Sequence, residues 1–178
     1  MHFFLHIQKT GGQTLGARLA AGFAPDRTSV MRRDIASRDE LHAMARQHDF
    51  VAGHPGPGSL VEPPPGVQVL SLVRDPVETI ISLYRHIRRD PLNPLHAAAA
   101  ALPARTCIER FEHLFFNFQS RVLTQAWTIP SIQALSRGEE AWLARQVPDA
   151  ADAVRWLVPS ERMDEFCALW RLETGRAV

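Results

Sequence analysis

The first 23 residues have, in order, the patterns of a strand, a glycine turn and a helix. His2 to Ile7 is a short apolar and aromatic run, which is typical of a strand buried on both faces. Gly11 and Gly12 close this run. The apolar residues that follow are four apart, which predicts a helix: Leu15, Leu19 and Phe23. Because this unit opens α/β folds, we expect a three-layer sandwich around a central, mainly parallel sheet.

The rest of the chain continues the alternation of strands and helices. Further strands are predicted over Thr28–Met31, Phe50–Gly53, Val67–Val73 and Trp156–Val158. Helices are predicted from a capping box at Ser37 to Gln47, from Pro76 behind Asp75, and over Thr106–Thr124, Ser131–Ala153 and Met163–Glu173. The buried stripe expected on the Pro76 helix is Val77, Ile80, Ile81, Tyr84 and Ile87. Two proline-bounded segments predict an irregular loop, Pro55–Gly66, and a surface flap, Pro91–Pro103.

Length and composition limit the class of protein. A chain of 178 residues predicts one domain over residues 1–178. Its longest apolar stretch, near Ala97–Leu102, is far below the ~18 residues of a membrane span, and no signal peptide is visible, so we expect a cytoplasmic protein. A net charge of +1 argues against a nucleic-acid-coating protein. Cys107 and Cys167 lack metal or disulfide spacing and are interpreted as packing residues.

Lys9 is the only lysine among 20 basic residues, the others being arginines. Codon bias is the simple explanation, but ammonium and guanidinium groups are not interchangeable at a phosphate. Lys9 also begins the segment Lys9-Thr10-Gly11-Gly12-Gln13-Thr14, between the first strand and the first helix. Glycines let backbone N–H groups close around an anion, and the helix N-terminus adds partial positive charge. With Lys9 and the hydroxyls of Thr10 and Thr14, the segment is interpreted as a phosphate loop in a P-loop-NTPase-like fold.

This loop departs from the Walker A pattern, in which the lysine follows the glycines and a magnesium-binding hydroxyl comes next. Because the lysine comes first here, a nucleoside triphosphatase is the weaker interpretation. A structural turn that binds nothing is the other alternative.

A second candidate anion site follows the strand that ends at Val73. Arg74 comes directly after it, at the sheet edge where open α/β folds bind ligands, and its guanidinium suits a bidentate grip on phosphate. Ser82 lies eight residues later and off the apolar stripe. A salt bridge from Arg74 to Asp75 or Glu78 is the alternative.

One histidine stands out among eight. His54 follows Gly53 at a strand end and precedes a loop too rich in proline and glycine to cover it, so we expect it to face the same crevice as Lys9 and Arg74. Its imidazole can accept a hydroxyl proton near neutral pH. The alternative is a histidine hydrogen-bonded to backbone. His6 is interpreted as a hydrogen-bonded core residue, and no metal-ligand spacing is present, so no metal is predicted.

These motifs carry a family resemblance. His6-Ile-Gln-Lys-Thr-Gly-Gly-Gln-Thr-Leu15 resembles the His-Ile-Pro-Lys-Thr-Gly-Gly-Thr-Ser signature of sulfotransferases that use 3'-phosphoadenosine 5'-phosphosulfate (PAPS), in the branch with carbohydrate 2-O-sulfotransferases. Leu72-Val-Arg-Asp-Pro-Val-Glu78 with Ser82 is similar to their 3'-phosphate motif. Two later stretches, Asn117–Leu123 and Leu157–Glu161, resemble the same branch, whereas Gln8 and Gln13 replace its usual Pro and Thr.

The resemblance implies a role for each motif. Lys9 to Thr14 would hold the 5'-phosphosulfate, Arg74 and Ser82 the 3'-phosphate, and His54 would be the catalytic base. Apart from the resemblance, Arg121 on the long helix is a further candidate for contact with the substrate or the 3'-phosphate, with an exposed ion pair as the equal alternative. The implied function is transfer of a sulfuryl group from PAPS, without a metal, to a hydroxyl of a carbohydrate acceptor.

Two other functions stay open at this point. One is a magnesium-dependent nucleotide kinase, although no Walker B pattern is present. The other is a non-catalytic nucleotide-binding module.

Overall fold

A five-stranded parallel sheet is the centre of the computed structural model, which describes residues 1–30, 34–126 and 139–178. The strands are β1 His2–Leu5, β2 Thr28–Val30, β3 Phe50–Gly53, β4 Gln68–Val73 and β5 Trp156–Pro159. They lie in the order β2-β3-β1-β4-β5, and each neighbouring pair is parallel. The first strand is therefore central, with the loop that follows it at the middle of the sheet edge.

Helices connect these strands. They are α1 Gly12–Ala20, α2 Arg38–Gln47, α3 Pro76–Arg89, α4 His96–Ala101, α5 Ala104–Arg110, α6 Glu112–Phe115, α7 Phe118–Gln125, α8 Glu139–Asp152 and α9 Met163–Thr174. Short 3-10 turns precede β2 at Pro25–Arg27 and α9 at Ser160–Arg162. Within the described residues, no helix is both long and apolar enough to cross a bilayer.

Two separate cores show that the sheet is covered on both faces. Phe3 and Leu5 of β1 pack with apolar residues of α2, α7 and α8, whereas Phe4, between them in sequence, packs with α1 and α9. This follows from the strand geometry, because successive side chains point to opposite faces. Because helices pack on both faces of the parallel sheet, the predicted three-layer sandwich is confirmed. The turn and helix predicted directly after the first strand are also present.

The predicted helix starts at Ser37 and Asp75 are confirmed. The Ser37 hydroxyl accepts a hydrogen bond from the backbone N–H of Glu40, at 3.2 Å, and the Asp75 carboxylate accepts one from the N–H of Glu78, at 2.9 Å. Each cap satisfies an N–H group that has no partner inside its helix. The Asp75 cap also fixes where α3 begins, directly behind Arg74.

The prediction of a single long helix over residues 106–124 is wrong, because the chain forms α5, α6 and α7 there. It breaks at Phe111 and again at Asn117, whose left-handed backbone has φ 53°. Ile108 and Phe115 pack with α3 and α4, whereas Leu123 packs against the sheet. One straight helix cannot serve both cores, and asparagine tolerates the left-handed turn that redirects the chain.

Two smaller expectations also need correction, and a third is tested only in part. The flap predicted over residues 91–103 contains α4, a packed helix in which Ala99 is fully buried and its carbonyl accepts a hydrogen bond from the Tyr84 hydroxyl. Val77 is 61% exposed, because the buried face of α3 begins at Thr79. The predicted helix over residues 131–153 is present as α8 from Glu139, and its first part lies outside the described residues.

The strand register brings the candidate motifs to one edge. Leu5 pairs with Gly53 on one side and with Ser71 on the other. Because parallel strands end at the same edge, the segments after β1, β3 and β4 all leave the sheet there. These are the segments that contain Lys9, His54 and Arg74.

Candidate functional site

The loop after β1 has two residues in left-handed conformation. Lys9 has φ 69° and Gly11, the N-cap of α1, has φ 87°. A lysine rarely adopts this conformation, so the surrounding structure holds it there at an energetic cost of about 1 kcal/mol or more. Strain of this kind is concentrated at functional sites in proteins.

Backbone N–H groups at the start of α1 are available to a ligand. Thr14 and Leu15 donate to the carbonyl of Gly11, whereas Gly11, Gly12 and Gln13 have no acceptor for their N–H groups among the described residues. No side chain caps this helix, and its first turn holds no acidic residue. The helix end therefore presents several donors and partial positive charge to the solvent in front of it.

Lys9, His54, Arg74 and Ser82 all line one pocket of about 470 Å³ at the carboxyl edge of the sheet. The remaining lining residues are His6, Gln8, Gly11, Gly12, Gln13, Thr14 and His86. The pocket therefore joins the loop after β1, the end of β3 and the first turns of α3. The structure brings together most of the site residues that the sequence singled out, and their chemical roles remain predictions.

A cationic groove of about 270 Å³ adjoins this pocket along α3. Its lining is Lys9, Arg74, Glu78, Ser82, Arg85, His86 and Arg89. Within the described part of the chain, Lys9, Arg85 and Arg89 take part in no salt bridge. Glu78 is the one carboxylate in the lining, so an anion entering the groove meets a positive field.

Arg74 has two neighbours that restrain it. Its guanidinium lies 3.3 Å from the Glu78 carboxylate, which is the salt bridge that the sequence left as an alternative. Side chains in this pair are 32% and 55% exposed, so the pair contributes well under about 1 kcal/mol and leaves other donors for a ligand. Gln119 of α7 holds the backbone, since its amide accepts from the Arg74 N–H at 2.8 Å and donates to the Arg74 carbonyl at 2.7 Å.

Glu161 reaches the same neighbourhood from the end of β5. A hydrogen bond from its own backbone N–H lowers the pKa of the Glu161 carboxyl, and Ser160, the Asp75 backbone and the charge of Arg74 lower it further. The motif stretch Leu157–Glu161 therefore lies beside the second anion motif.

His54 is held in one tautomer by the end of β1. Its Nδ1 lies 2.9 Å from the backbone carbonyl of His6. Because a carbonyl can only accept a hydrogen bond, Nδ1 carries a proton, so the lone pair of the neutral imidazole lies on Nε2. The hydrogen bond to backbone was the alternative considered for His54, and it leaves Nε2 free to act as a base.

His6 is buried, as predicted, but it is not a fully hydrogen-bonded core residue. Its side chain is 6% exposed, and its Nδ1 is buried without a hydrogen-bond partner. Burial is the main cause that lowers the pKa of His6 from 6.5 to about 4, and the neighbouring His54 and Lys9 contribute to the same shift. The ring is therefore neutral near pH 7, and it lines the pocket.

Gly12 is needed for close packing against that ring. A Cβ atom at position 12 would lie 1.9 Å from Cδ2 of His6 and 2.5 Å from Nε2. The His6 ring therefore rests against the first residue of α1, and any side chain at position 12 would displace it.

Two predicted site residues have other partners. Thr10 is fully buried and its hydroxyl donates to the Ile7 carbonyl at 2.8 Å, so its proton supports the loop and is not offered to a ligand. Arg121 donates to the backbone carbonyl of His113 and does not line the pocket. The structure thus does not bring Arg121 to the site.

Sequence reasoning did not single out Gln119 or His86. Gln119 lies inside a stretch that carried the family resemblance, which was the only available signal. His86 lies four residues after Ser82, so its helical position next to Ser82 could have been inferred from the spacing.

No group of three or more histidine, cysteine or acidic side chains is arranged to hold a metal ion within residues 1–30, 34–126 and 139–178. The donors that line the pocket are N–H, hydroxyl, ammonium and guanidinium groups. This set suits phosphate or sulfate oxygens, which accept hydrogen bonds.

Fold and pocket together define an α/β chain with a cationic pocket at the carboxyl edge of a parallel sheet. Comparison with protein-family models gives no match, and neither does comparison with curated proteins. Among solved structures, the chain is similar to the mouse sulfotransferase SULT7A1 complexed with PAP, with a TM-score of 0.49 and 14% sequence identity. The alignment covers 98% of this chain and 56% of that one, so this chain spans little more than half the length of its structural neighbour.

Proposed function

We propose that the chain is a PAPS-dependent sulfotransferase, which moves a sulfuryl group from PAPS to a hydroxyl of an acceptor. The observation that carries this proposal is the shared pocket of Lys9, Arg74, Ser82 and His54. An adenine nucleotide with two separate anionic groups needs two separate anion sites. The loop after β1 and the start of α3 would supply these two sites, because both line one pocket.

The 5'-phosphosulfate would lie against the loop from Lys9 to Thr14. The unpartnered N–H groups of Gly11, Gly12 and Gln13 and the Lys9 ammonium supply donors there. Arg74 and Ser82 would hold the 3'-phosphate, with Arg85 and Arg89 adding positive charge beside it. Glu78 would give up part of its contact with Arg74, at little energetic cost because that pair is exposed.

In the proposed step, the acceptor hydroxyl oxygen forms a bond to sulfur as the bond from sulfur to the 5'-phosphate oxygen breaks. The hydroxyl proton moves to Nε2 of His54. The products are the sulfate ester and 3'-phosphoadenosine 5'-phosphate (PAP), whose new charge is stabilised by Lys9 and the loop N–H groups. Positioning and electrostatics would dominate the catalysis, as they do in phosphoryl transfer.

His54 suits the role of base because its tautomer is fixed. The hydrogen bond from Nδ1 to the His6 carbonyl orients the ring and, in the neutral imidazole, leaves the lone pair on Nε2. His6 cannot take this role near pH 7, since its burial opposes protonation.

A saccharide is the acceptor we propose, and residues 1–178 are proposed to form a single sulfotransferase domain. Both proposals are supported by the motif resemblance, which extends from His6 to Glu161 in the family order.

Calorimetric titration tests the nucleotide site directly. Without metal, PAP should bind at least about tenfold more tightly than ADP, because only PAP has a 3'-phosphate for Arg74 and Ser82. A preference for ADP that requires Mg²⁺ and disappears with EDTA would instead support a nucleotide kinase.

Transfer itself is tested with sulfur-labelled PAPS and a panel of saccharides. Label should appear on an acceptor, and His54→Gln should reduce that rate about 100-fold or more while PAP affinity stays near normal. Tight PAP binding without label on any acceptor would indicate a non-catalytic binding module. Normal turnover in His54→Gln would exclude His54 as the base.

A further inference from the structure

His6 and His54 form a stacked pair of imidazoles at the pocket wall. Their ring centroids are 4.6 Å apart and their planes differ by 30°. The Phe4 ring centroid lies 5.9 Å from that of His6, and Gly12 lies against the Cδ2–Nε2 edge of His6. The His6 ring is therefore held in position on several sides.

The environment of His6 indicates where its single proton lies. Nδ1 is buried and has no partner, whereas Nε2 is on the edge that faces Gly12 and is not among the buried unpartnered atoms. A buried N–H group without an acceptor is rarer in proteins than a buried acceptor without a donor. The neutral ring should therefore carry its proton on Nε2.

The two histidines then have opposite tautomers. His54 carries its proton on Nδ1, bonded to the His6 carbonyl, and keeps an accepting Nε2. His6 keeps a bare Nδ1 and carries a donor at Nε2, beside the unpartnered N–H groups that begin α1. The pair thus offers one acceptor and one donor to the same pocket.

We infer that His6 is a neutral hydrogen-bond donor in the anion site, where its Nε2–H contacts a sulfate or phosphate oxygen bound by the loop from Lys9 to Thr14. This inference rests on the proposed function for the identity of the bound anion. In the transfer step, His54 would receive the acceptor proton while His6 donates to the oxygens of the transferring or leaving group.

A neutral donor has a specific advantage at this position. Lys9 and His54 are the charged or titratable groups that lower the pKa of His6, and a third positive charge would oppose protonation of His54 during transfer. A neutral N–H contributes a hydrogen bond to the anion without that repulsion.

The tautomers are tested on the wild-type chain by nitrogen-15 NMR of the histidine rings. Between pH 6 and 8 we expect His6 to be neutral with its proton on Nε2, and the His6 Nε2–H signal to shift when PAP is added. A proton on Nδ1 of His6, or an Nε2–H signal unchanged at saturating PAP, would overturn the inference.

Two substitutions test the donor separately from the ring packing. His6→Gln keeps an N–H donor near the position of Nε2, whereas His6→Leu removes it. We expect His6→Leu to weaken PAP binding about tenfold and His6→Gln to stay within about threefold of wild type, as expected for one charge-assisted hydrogen bond. The exposed His113 provides a matched control, and His113→Gln should bind PAP normally.

Equal PAP affinity in His6→Leu and wild type would overturn the inference. Failure of the proposed function would look different, because wild type would then not bind PAP at all. Inorganic sulfate is the probe in that case. A shift of the His6 Nε2–H signal with sulfate would support the donor role independently of PAPS, and no shift would overturn it.

Discussion

The side chain of Gln119 makes two hydrogen bonds to the backbone of Arg74, one with its N–H group and one with its carbonyl group. Its Oε1 accepts from the Arg74 N–H at 2.8 Å, and its Nε2 donates to the Arg74 carbonyl at 2.7 Å. The two residues are 45 positions apart in sequence. A side chain of α7 therefore fixes the turn between β4 and α3, from which the Arg74 guanidinium enters the pocket.

Replacing Gln119 by leucine should weaken nucleotide binding without touching the pocket lining. Leucine has a similar volume but leaves both backbone groups of Arg74 without partners, which costs about 1 kcal/mol or more for each. We expect PAP affinity to fall about three- to tenfold by calorimetry. Gln47→Leu, at an exposed position that ends α2, is the control and should bind PAP as wild type does. Unchanged PAP affinity in Gln119→Leu would show that Arg74 keeps its position without the two hydrogen bonds from Gln119.

Lys9→Ala should reduce turnover more than it reduces binding. If the ammonium stabilises charge that develops on the leaving phosphate, its removal should cost about 100-fold to 1000-fold in rate. Single-turnover transfer from labelled PAPS, with an acceptor that wild type sulfates, measures this step. A loss in PAP affinity equal to the loss in rate would mean that Lys9 contributes only to ground-state binding.

Arg74 and Glu78 form one ion pair, and substitutions at the two residues should change PAP affinity in opposite directions. Arg74→Ala should weaken PAP binding about tenfold or more, because it removes a charge-assisted contact to the 3'-phosphate. Glu78→Gln should strengthen PAP binding modestly, since Glu78 competes with the phosphate for the guanidinium. Calorimetric titrations at one ionic strength measure both effects. The two variants should bind ADP equally well, and a matching loss of ADP affinity in Arg74→Ala would contradict a role at the 3'-phosphate.

Local patterns in the sequence predicted the strands, the sheet edge and the position of Lys9, His54 and Arg74 near one another. These residues follow buried strands directly, and parallel strands end at one edge. Partners distant in sequence were not predictable in this way. The hydrogen bonds from Gln119 to the Arg74 backbone and the stacking of His6 on His54 depend on how separate elements pack.

The errors along α5 to α7 have a related physical cause. The apolar spacing of residues 108, 111, 115, 118 and 122 fits one helix, but the residues serve two different cores. Spacing describes which residues are apolar and contains no information on which core each one joins. The prediction that the Thr10 hydroxyl donates to a ligand failed for a similar reason. That hydroxyl donates instead to the carbonyl of Ile7, three residues earlier.

Gly12→Ala should destabilise the fold, whereas Gly16→Ala should not. A methyl group at position 12 would lie 1.9 Å from the His6 ring, so the ring or the helix end must move, at a cost of about 1–3 kcal/mol. At position 16 the nearest atom, on Phe4, is 3.4 Å away, and alanine is the better helix former. Urea unfolding of both variants measures the difference. Equal midpoints would mean that the His6 ring is free to move away.

Two histidines, His6 buried and His2 half-buried, make stability depend on pH. Burial is the first cause that lowers the pKa of His2 and of His6, in each case from 6.5 to about 4. His2 packs among aromatic rings, with the Trp170 ring centroid at 4.8 Å. Between pH 6.5 and about 4 the unfolded chain binds more protons at these positions than the folded chain does, so acid favours unfolding in this range.

We therefore expect the free energy of unfolding to be highest above about pH 6.5 and to fall steadily as the pH is lowered towards 4. For His6 alone, the shift in pKa corresponds to about 3 kcal/mol over this range. Urea midpoints at pH 7.5, 6, 5 and 4 measure the trend, and His2→Phe should reduce its slope because it removes one of the two groups. His113→Gln, at an exposed position, should leave the slope unchanged. A midpoint that rises between pH 6.5 and 5 would show that other groups dominate the proton balance.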